Sequence, residues 1–194
     1  MKNVELNKQA KLSPHFTLGE MTKISAKGVD NTPPHGAVMN LKNLCENWLE
    51  GLREEYNRRY ALGRVATREG QALCNPVAAL PAHRSASPCV SHSAAPGAPQ
   101  EEPIVINSGY RSEEVNKAIG GVKGPNHLTG CAVDIRVAGI EQLIRYAAIL
   151  LDIADGTKRD FDELLLERSP KGTYWLHFAV RPSGNRRKVR LIQT

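Results

Sequence analysis

A long stretch without hydrophobic periodicity separates two parts of this 194-residue chain that differ in their sequence patterns. From about Arg58 to Glu102 the sequence is rich in Ala, Pro and Ser, and neither a helical nor a strand-like pattern persists. A segment of this composition buries too little apolar surface to offset the conformational entropy that it would lose on ordering. We therefore predict one domain, interrupted by a disordered insertion at about 58–102. His83 and His92 fall in this insertion and are predicted to be solvated rather than metal ligands.

The part of the chain before this stretch has helical patterns. Thr17 and Glu20 have the spacing of a capping box, which predicts a short helix after Thr17. A longer amphipathic helix is predicted from about Val38 to Tyr56, because apolar residues recur there at helical spacing. These residues are Leu41, Leu44, Cys45, Trp48, Leu49 and Leu52.

The part after the stretch combines short strands with helices. Strands are predicted at 104–107, 132–137, 161–167 and 175–180, with an edge strand at 188–192. Helices are predicted at 114–119, with Ser112 as its cap, and at 140–154. Helices followed by a small mixed sheet indicate an α+β domain, with a mainly antiparallel sheet flanked by helices.

The charge balance restricts the classes of partner. The net charge of +6 favours polyanions, but the densest basic run, Arg186–Arg190, contains no aromatic residues that would stack on nucleobases. No apolar run approaches the roughly 20 residues that span a bilayer. Residues 1–14 also lack the apolar core of a secretory signal. We predict a monomer that binds no nucleic acid and is not stably inserted in a membrane.

Three residues in the second part have side chains that can meet at one point. His127 lies on a predicted loop that leads into a strand, Asp134 lies in that strand, and His177 lies in a second strand. Gly130 and Ala132 are small, so the backbone between the first two can turn sharply and pack closely. Two imidazole nitrogens and one carboxylate oxygen leave a fourth coordination position open, which is typical of catalytic zinc sites. Each residue alone also has an ordinary interpretation, such as a hydrogen-bonded core histidine for His177.

In their order along the chain, these residues and their neighbours resemble a known family. The chain is similar to the zinc D-alanyl-D-alanine carboxypeptidases and to the related wall endopeptidases and phage endolysins, which share a fold with the hedgehog signalling domain. The similarity extends over nearly the whole chain except 58–102, and a small phage and bacterial subgroup fits best. The matching stretches are 16–21, 31–33, 40–53, 108–112, 115–116, 120–121, 127–134 and 175–177.

The resemblance implies a role for each motif residue. His127, Asp134 and His177 would hold Zn²⁺, and Arg111 would bind a substrate carboxylate with help from Ser108 or Tyr110. Relatives place the general base, a Glu, shortly before the second His, where this chain has Tyr174. Glu167, across the following turn, is the candidate base, and Glu163 and Asp162 are the alternatives.

The chain departs from the family pattern at two positions. Pro125 replaces a Ser that helps to hold the substrate in relatives, so the fine specificity is left open. Cys131 stands where relatives have a polar residue, either near the metal or, as we expect, as a small space-filling thiol. Trp175 is predicted either to form a wall of the cleft or to pack in the core.

The resemblance implies a zinc peptidase that cleaves peptidoglycan peptides as a carboxypeptidase or an endopeptidase. The alternative from another class is a non-catalytic zinc module that binds the wall or a protein partner, and the position of Glu167 distinguishes the two. A nucleic-acid-binding protein is the least favoured hypothesis. A wall substrate combined with the lack of a readable export signal suggests a protein made in the cytoplasm that reaches the wall as a phage or prophage lysis enzyme.

Overall fold

The computed structural model describes residues 7–24, 28–61, 101–118, 120 and 125–193. Within these residues the fold is α+β, as predicted, with helices packed against a five-stranded, mainly antiparallel sheet. The greater part of the predicted insertion, with His83 and His92, lies outside the described residues. The prediction of a disordered insertion therefore stays a prediction.

The N-terminal part forms one short and one long helical element. Thr17 caps α1 (Leu18–Met21), and the Glu20 carboxylate accepts the backbone N–H of Thr17, so the predicted capping box is confirmed. The long element starts at α2 (His35–Leu44) and continues without a break through a π-helical turn (Cys45–Leu49), α3 (Glu50–Tyr56) and a second π-helical turn (Asn57–Ala61). Arg58 and Arg59 thus belong to the helix and form ion pairs with Glu55, so the helix extends past the predicted boundary.

Among the described residues, the second part contributes the sheet and three helices. The helices are α4 (Glu113–Ala118), α5 (Pro125–Leu128) and α6 (Ile140–Thr157). The strands are β1 (Ile106–Ser108), β2 (Ala132–Arg136), β3 (Glu163–Arg168), β4 (Tyr174–Ala179) and β5 (Lys188–Gln193). Their order in the sheet is β1-β2-β4-β3-β5, and only the β3–β5 pair is parallel. The predicted edge position of the last strand is confirmed.

One face of the sheet, the helix face, is apolar and covered. Val133, Phe178 and Leu164 are directly opposite one another on β2, β4 and β3, and all are fully buried. Trp48 of the long helical element packs on Phe178 with 5.1 Å between ring centroids. Leu143, Ile149 and Leu150 of α6 belong to the same core.

The other face of the sheet, the polar face, carries the residues that follow or precede these apolar residues along each strand. Successive side chains in a strand point to opposite faces, so the pairing of Asp134 with His177 and of His177 with Leu165 places these three on the polar face. Glu163 lies two residues before Leu165 on β3 and Glu167 lies two residues after it, so both share this face. The sheet register therefore collects the polar residues of three strands on one surface.

Two glycines let the chain approach this region closely. Gly130 has φ +71°, and a Cβ there would lie 2.4 Å from the carbonyl oxygen of Ala37 in α2. A Cβ at Gly109 would lie 2.4 Å from the carbonyl oxygen of Met21. The prediction that Gly130 permits a sharp turn and close packing is confirmed.

Two further properties bear on the class of protein. None of the helices in the described ranges is both long and apolar enough to cross a membrane. Cys45 and Cys131 are buried and free, while Cys74 and Cys89 lie outside the described residues.

Candidate metal centre and cleft

His127, Asp134 and His177 converge on the polar face. All three are buried, and they form a group in which the potential ligand atoms all lie within 4.8 Å of one another. Asp134 Oδ1 is 2.9 Å from His177 Nδ1 and 3.4 Å from His127 Nε2, and these two nitrogens are 3.3 Å apart. The structure thus brings together the three residues that the sequence singled out as metal ligands.

Each histidine also has a neighbour at the ring nitrogen that faces away from the cluster. The Gly109 carbonyl oxygen lies 2.7 Å from His127 Nδ1. A carbonyl only accepts hydrogen bonds, so Nδ1 carries the proton and the Nε2 lone pair of the neutral ring is directed at the cluster. His177 Nε2 lies 3.7 Å from Glu163 Oε2, so its Nδ1 is the nitrogen that faces the cluster. Histidines that ligate metals in proteins show this arrangement, with the second nitrogen on a carbonyl or carboxylate.

The electrostatics of the cluster favour a cation among the three side chains. Burial opposes ionisation of Asp134, but hydrogen bonds with His127 and His177 prevail and lower the pKa of its carboxyl. Burial works against a charged His177, yet Asp134 and Glu163 raise its pKa to about 9. Both shifts reflect the attraction between buried imidazoles and the carboxylates around them, which favours the charged form of each partner. The donor set therefore fits a divalent metal that prefers nitrogen and oxygen ligands.

Arg111 is placed beside the metal centre. Its Nη2 donates to Asp134 Oδ2, and its Nε donates to Ser108 Oγ at 2.7 Å. Its backbone N–H donates to the carbonyl of His127 at 3.2 Å. Arg111 thus orients a carboxylate of the cluster, a contact that the sequence did not indicate.

A cleft of about 260 Å³ opens next to this arginine. The residues that line it are Lys23, Ile24, Asn107, Ser108, Arg111, Val115, Asp134 and Trp175. The cleft combines apolar walls with two basic side chains. Trp175 forms a wall, which decides between the two positions that the sequence allowed for it.

Tyr110 and Cys131 belong neither to the metal centre nor to the lining of the cleft. Tyr110 is 7% exposed and belongs to the hydrophobic core. Cys131 is 3% exposed, and its thiol lies 3.9 Å from the carbonyl of Thr129, outside the three-residue cluster. Their surroundings are those of residues that fill space.

The three carboxylates considered as general base, two in β3 and one directly before it, have very different surroundings. Glu167 lies on the polar face opposite Trp175, and burial raises the pKa of its carboxyl, with His177 opposing. The pKa of Glu163 is lowered, first by His177 and then by Lys188 against the cost of burial. Asp162 is fully buried, and bonds from Arg186 and Asn126 outweigh burial and lower its pKa. Of the three candidates, Glu167 has the carboxylate most ready to take up a proton.

Several residues that build the site were missed from the sequence. Asn31 Nδ2 donates to the carbonyls of Thr22 and Tyr110, and its Oδ1 accepts the backbone N–H of Ser112, so this amide holds the backbone on both sides of Arg111. Asn126 connects α5, a short helix that carries His127 where the sequence predicted a loop, to Asp162 directly before β3. Neither asparagine has a local pattern that signals its role, because its partners are distant in sequence.

Comparison with known proteins agrees with this site. Residues 96–155 match the family model described as Peptidase M15. A search of the curated proteins found no match. The matched segment contains Arg111, His127 and Asp134 and ends before His177. The match supports the resemblance to the D-alanyl-D-alanine carboxypeptidase-like peptidases over this segment, which contains two of the three residues of the metal centre.

Proposed function

We propose that this chain is a zinc-dependent peptidase that hydrolyses a peptide bond in the D-amino-acid-containing stem peptides of peptidoglycan. The observation that carries the proposal is the convergence of His127, Asp134 and His177 on a strand face that also bears Glu167. A cleft with basic and apolar walls lies beside this centre. The wall substrate follows from the family resemblance.

Zn²⁺ suits the donor set, because it binds two imidazoles and one carboxylate readily and keeps a further position open in catalytic sites. His127 Nε2, His177 Nδ1 and Asp134 Oδ1 would hold it. When bound, the ion supplies Lewis-acid chemistry that polarises a carbonyl and acidifies water.

Glu167 would act as general base and then as general acid. Burial raises the pKa of its carboxyl toward the range in which a carboxylate exchanges protons near neutral pH. Its carboxylate would take a proton from the attacking water and return it to the amine nitrogen of the leaving group. Glu163 and Asp162 are less suited to this role, because Lys188 and Arg186 hold them ionised.

Arg111 would anchor the substrate. Its bonds to Asp134 and Ser108 fix the plane of the guanidinium and use only some of its five N–H donors. The remaining donors suit a substrate carboxylate, which a planar fork binds better than an ammonium does. Ser108 lines the same cleft, whereas the buried Tyr110 would support Arg111 through the backbone.

The test is mass spectrometry of purified muropeptides incubated with the protein, with and without a chelator. Loss of a terminal D-alanine, or a cut within the stem or cross-bridge, that the chelator abolishes and Zn²⁺ restores is the expected result. Glu167→Gln should lower kcat by about 10²- to 10⁴-fold, the usual contribution of a general acid–base. Glu141→Gln is the matched control, since Glu141 is an exposed helix residue paired with Arg145.

The opposite outcome is equally informative. If the protein binds zinc and yields no product from any muropeptide, the catalytic proposal fails. A zinc-containing module that binds the wall or a partner protein would then be the better hypothesis. Equal kcat for Glu167→Gln and wild type would remove Glu167 from the mechanism and leave the metal centre intact.

A further inference from the structure

We propose that the basic segment, residues 181–190, is part of the metal site: it holds Asp162 and Glu163 in place, and these carboxylates in turn position the two histidine ligands. The proposal rests on the zinc site proposed above. It gives a role to the basic run near the C-terminus, which the charge pattern alone left as a surface for polyanions.

Glu163 connects the basic segment to His177. Its Oε2 lies 3.7 Å from His177 Nε2, longer than a hydrogen bond, so the contact is electrostatic. Its Oε1 accepts from Lys188 Nζ at 2.8 Å and lies 2.9 Å from Arg186 Nη2. Two cations on one oxygen fix the carboxylate, and its other oxygen faces the outer nitrogen of the ligand.

Asp162 connects the same segment to the turn that bears His127. Its side chain is fully buried and accepts from Arg186 Nε at 2.7 Å and Nη2 at 2.8 Å, with Arg181 Nε at 3.0 Å. A buried carboxylate is tolerated only with such partners. Asn126 Nδ2, one residue before His127, donates to Asp162 Oδ2 at 2.9 Å.

The amide of Asn126 joins these contacts to one another. Its Nδ2 also lies 3.3 Å from Glu163 Oε2, and its Oδ1 accepts from Arg181 Nε at 3.1 Å. Its backbone carbonyl accepts the N–H of Cys131 at 2.7 Å, which closes the turn around His127. Of the two adjacent carboxylates, Glu163 thus faces His177 directly, and Asp162 holds Asn126, the residue before His127.

These contacts also account for the charge of the basic segment. Arg181, Arg186 and Lys188 are directed at Asp162 and Glu163, which are buried or largely buried. Arg187 turns away and pairs with Asp155 and Asp160 at the end of α6. Among the described residues, four of the five cations of the segment are therefore paired within the protein.

The experiment measures zinc affinity by competition with a chromophoric chelator, together with the visible absorption spectrum of the Co²⁺-substituted protein. Glu163→Ala should weaken Zn²⁺ binding by about 10- to 100-fold, the usual effect of removing an outer partner of a ligand. It should also change the Co²⁺ spectrum, because His177 loses its fixed orientation. Glu163→Gln, which keeps an acceptor and loses the charge, should fall between Glu163→Ala and wild type.

Arg186→Gln and Arg187→Gln form a matched pair of neighbours in sequence. Arg186→Gln should weaken zinc binding. Arg187→Gln removes ion pairs with Asp155 and Asp160 and a cation–π contact with Phe161, and it should leave the affinity within about twofold of wild type. Thermal melting of the metal-free proteins shows which variants fold. If Glu163→Ala does not fold, the zinc affinity of Glu163→Gln tests the proposal instead.

Wild-type zinc affinity and an unchanged Co²⁺ spectrum in the Glu163 variants would overturn this proposal while leaving the zinc site in place. A similar loss of affinity in the Arg186 and Arg187 variants would overturn it too, since the effect would then be one of general charge. If the wild-type protein binds no zinc, the proposed function fails first, and this proposal fails with it.

Discussion

The two faces of the sheet carry side chains of different chemistry, although these side chains alternate along the same strands. On the helix face, Val133, Leu164 and Phe178 are fully buried and meet the aromatic side chain of Trp48. On the polar face, the neighbours of these residues include Asp134 and His177, whose charges and lone pairs converge. Apolar burial on the first face stabilises the fold, and that stability allows the second face to hold a cluster that would be costly in isolation. Substitutions on the two faces should therefore affect different properties.

The largest effect is expected on the polar face. His177→Ala removes a proposed metal ligand and should lower hydrolysis by roughly 1,000-fold or more, since metal catalysis contributes several kcal/mol and each 1.36 kcal/mol is tenfold. Steady-state hydrolysis of the muropeptide identified as substrate measures this loss. The metal-free variant should lose less stability in urea than a large-to-small substitution on the helix face, because Arg111 still pairs with Asp134. A large drop in that stability would show that the two faces are not separable.

The next effect is expected on the helix face, one residue along the same strand. Phe178→Ala should destabilise the protein by about 3–5 kcal/mol, because it leaves a cavity against Trp48 and Phe161. Urea denaturation measures the change, and activity per folded molecule should be retained. Leu191→Gln is the control, because Leu191 is 75% exposed and should change stability by less than about 0.5 kcal/mol.

A smaller effect is expected where the loop after His127 meets the helices. Gly130→Ala should cost about 1–3 kcal/mol, because the residue has a positive φ and the new Cβ would contact the Ala37 carbonyl. Gly36→Ala provides the comparison, since its Cβ meets nothing within 4 Å and should be neutral or slightly stabilising. Thermal melting of the two variants tests this difference, and equal melting temperatures would contradict it.

The smallest effect concerns a polar contact on the helix side. Glu50 accepts bonds from Ser13 Oγ at 2.6 Å and from the backbone N–H of His15 at 2.8 Å. Burial opposes its ionisation, but these bonds prevail and lower its pKa. Glu50→Gln should therefore cost about 1 kcal/mol at neutral pH.

The sign of the pH dependence follows from that lowered pKa. The contribution of Glu50 is present above the pKa that it has in the unfolded chain and is lost as the pH falls through its pKa in the folded chain. The difference in unfolding free energy between wild type and Glu50→Gln should shrink below about pH 4, as the Glu50 carboxyl takes up a proton. A difference that grows as the pH falls below about 4 would contradict the assignment, and hydrolysis near neutral pH should not change.

Local patterns were sufficient for most elements of the fold. The capping box at Thr17, the cap at Ser112 and the helix at Ile140 depend on residues a few positions apart, so the sequence predicts them directly. The end of the long helix was placed too early, because Arg58 and Arg59 look like the start of a polar segment. Their ion pairs with Glu55, and that of Arg59 with Asp152, extend the helix.

The residues of the candidate site also fall into those that the sequence predicted and those that it did not. His127, Asp134 and His177 were recognisable because each has a motif around it. The sheet register brings Asp134 and His177 together, and α5 adds His127. Asp162 lies directly before β3 and is fully buried, which the sequence did not predict. Its burial depends on Arg181 and Arg186, which come from a segment that returns to β3 only after β4 is complete.

By itself, the sequence determined that this chain forms an α+β domain with a His-Asp-His set suited to a metal, because periodicity, caps and motif spacing are short-range properties. The tertiary structure decided that basic side chains of the C-terminal segment hold Asp162 and Glu163, whereas burial raises the pKa of Glu167. It also decided that Arg111 contacts Asp134, and that the basic segment turns inward to Asp162 and Glu163. These outcomes depend on strand order and register, which bring together side chains that are far apart along the chain.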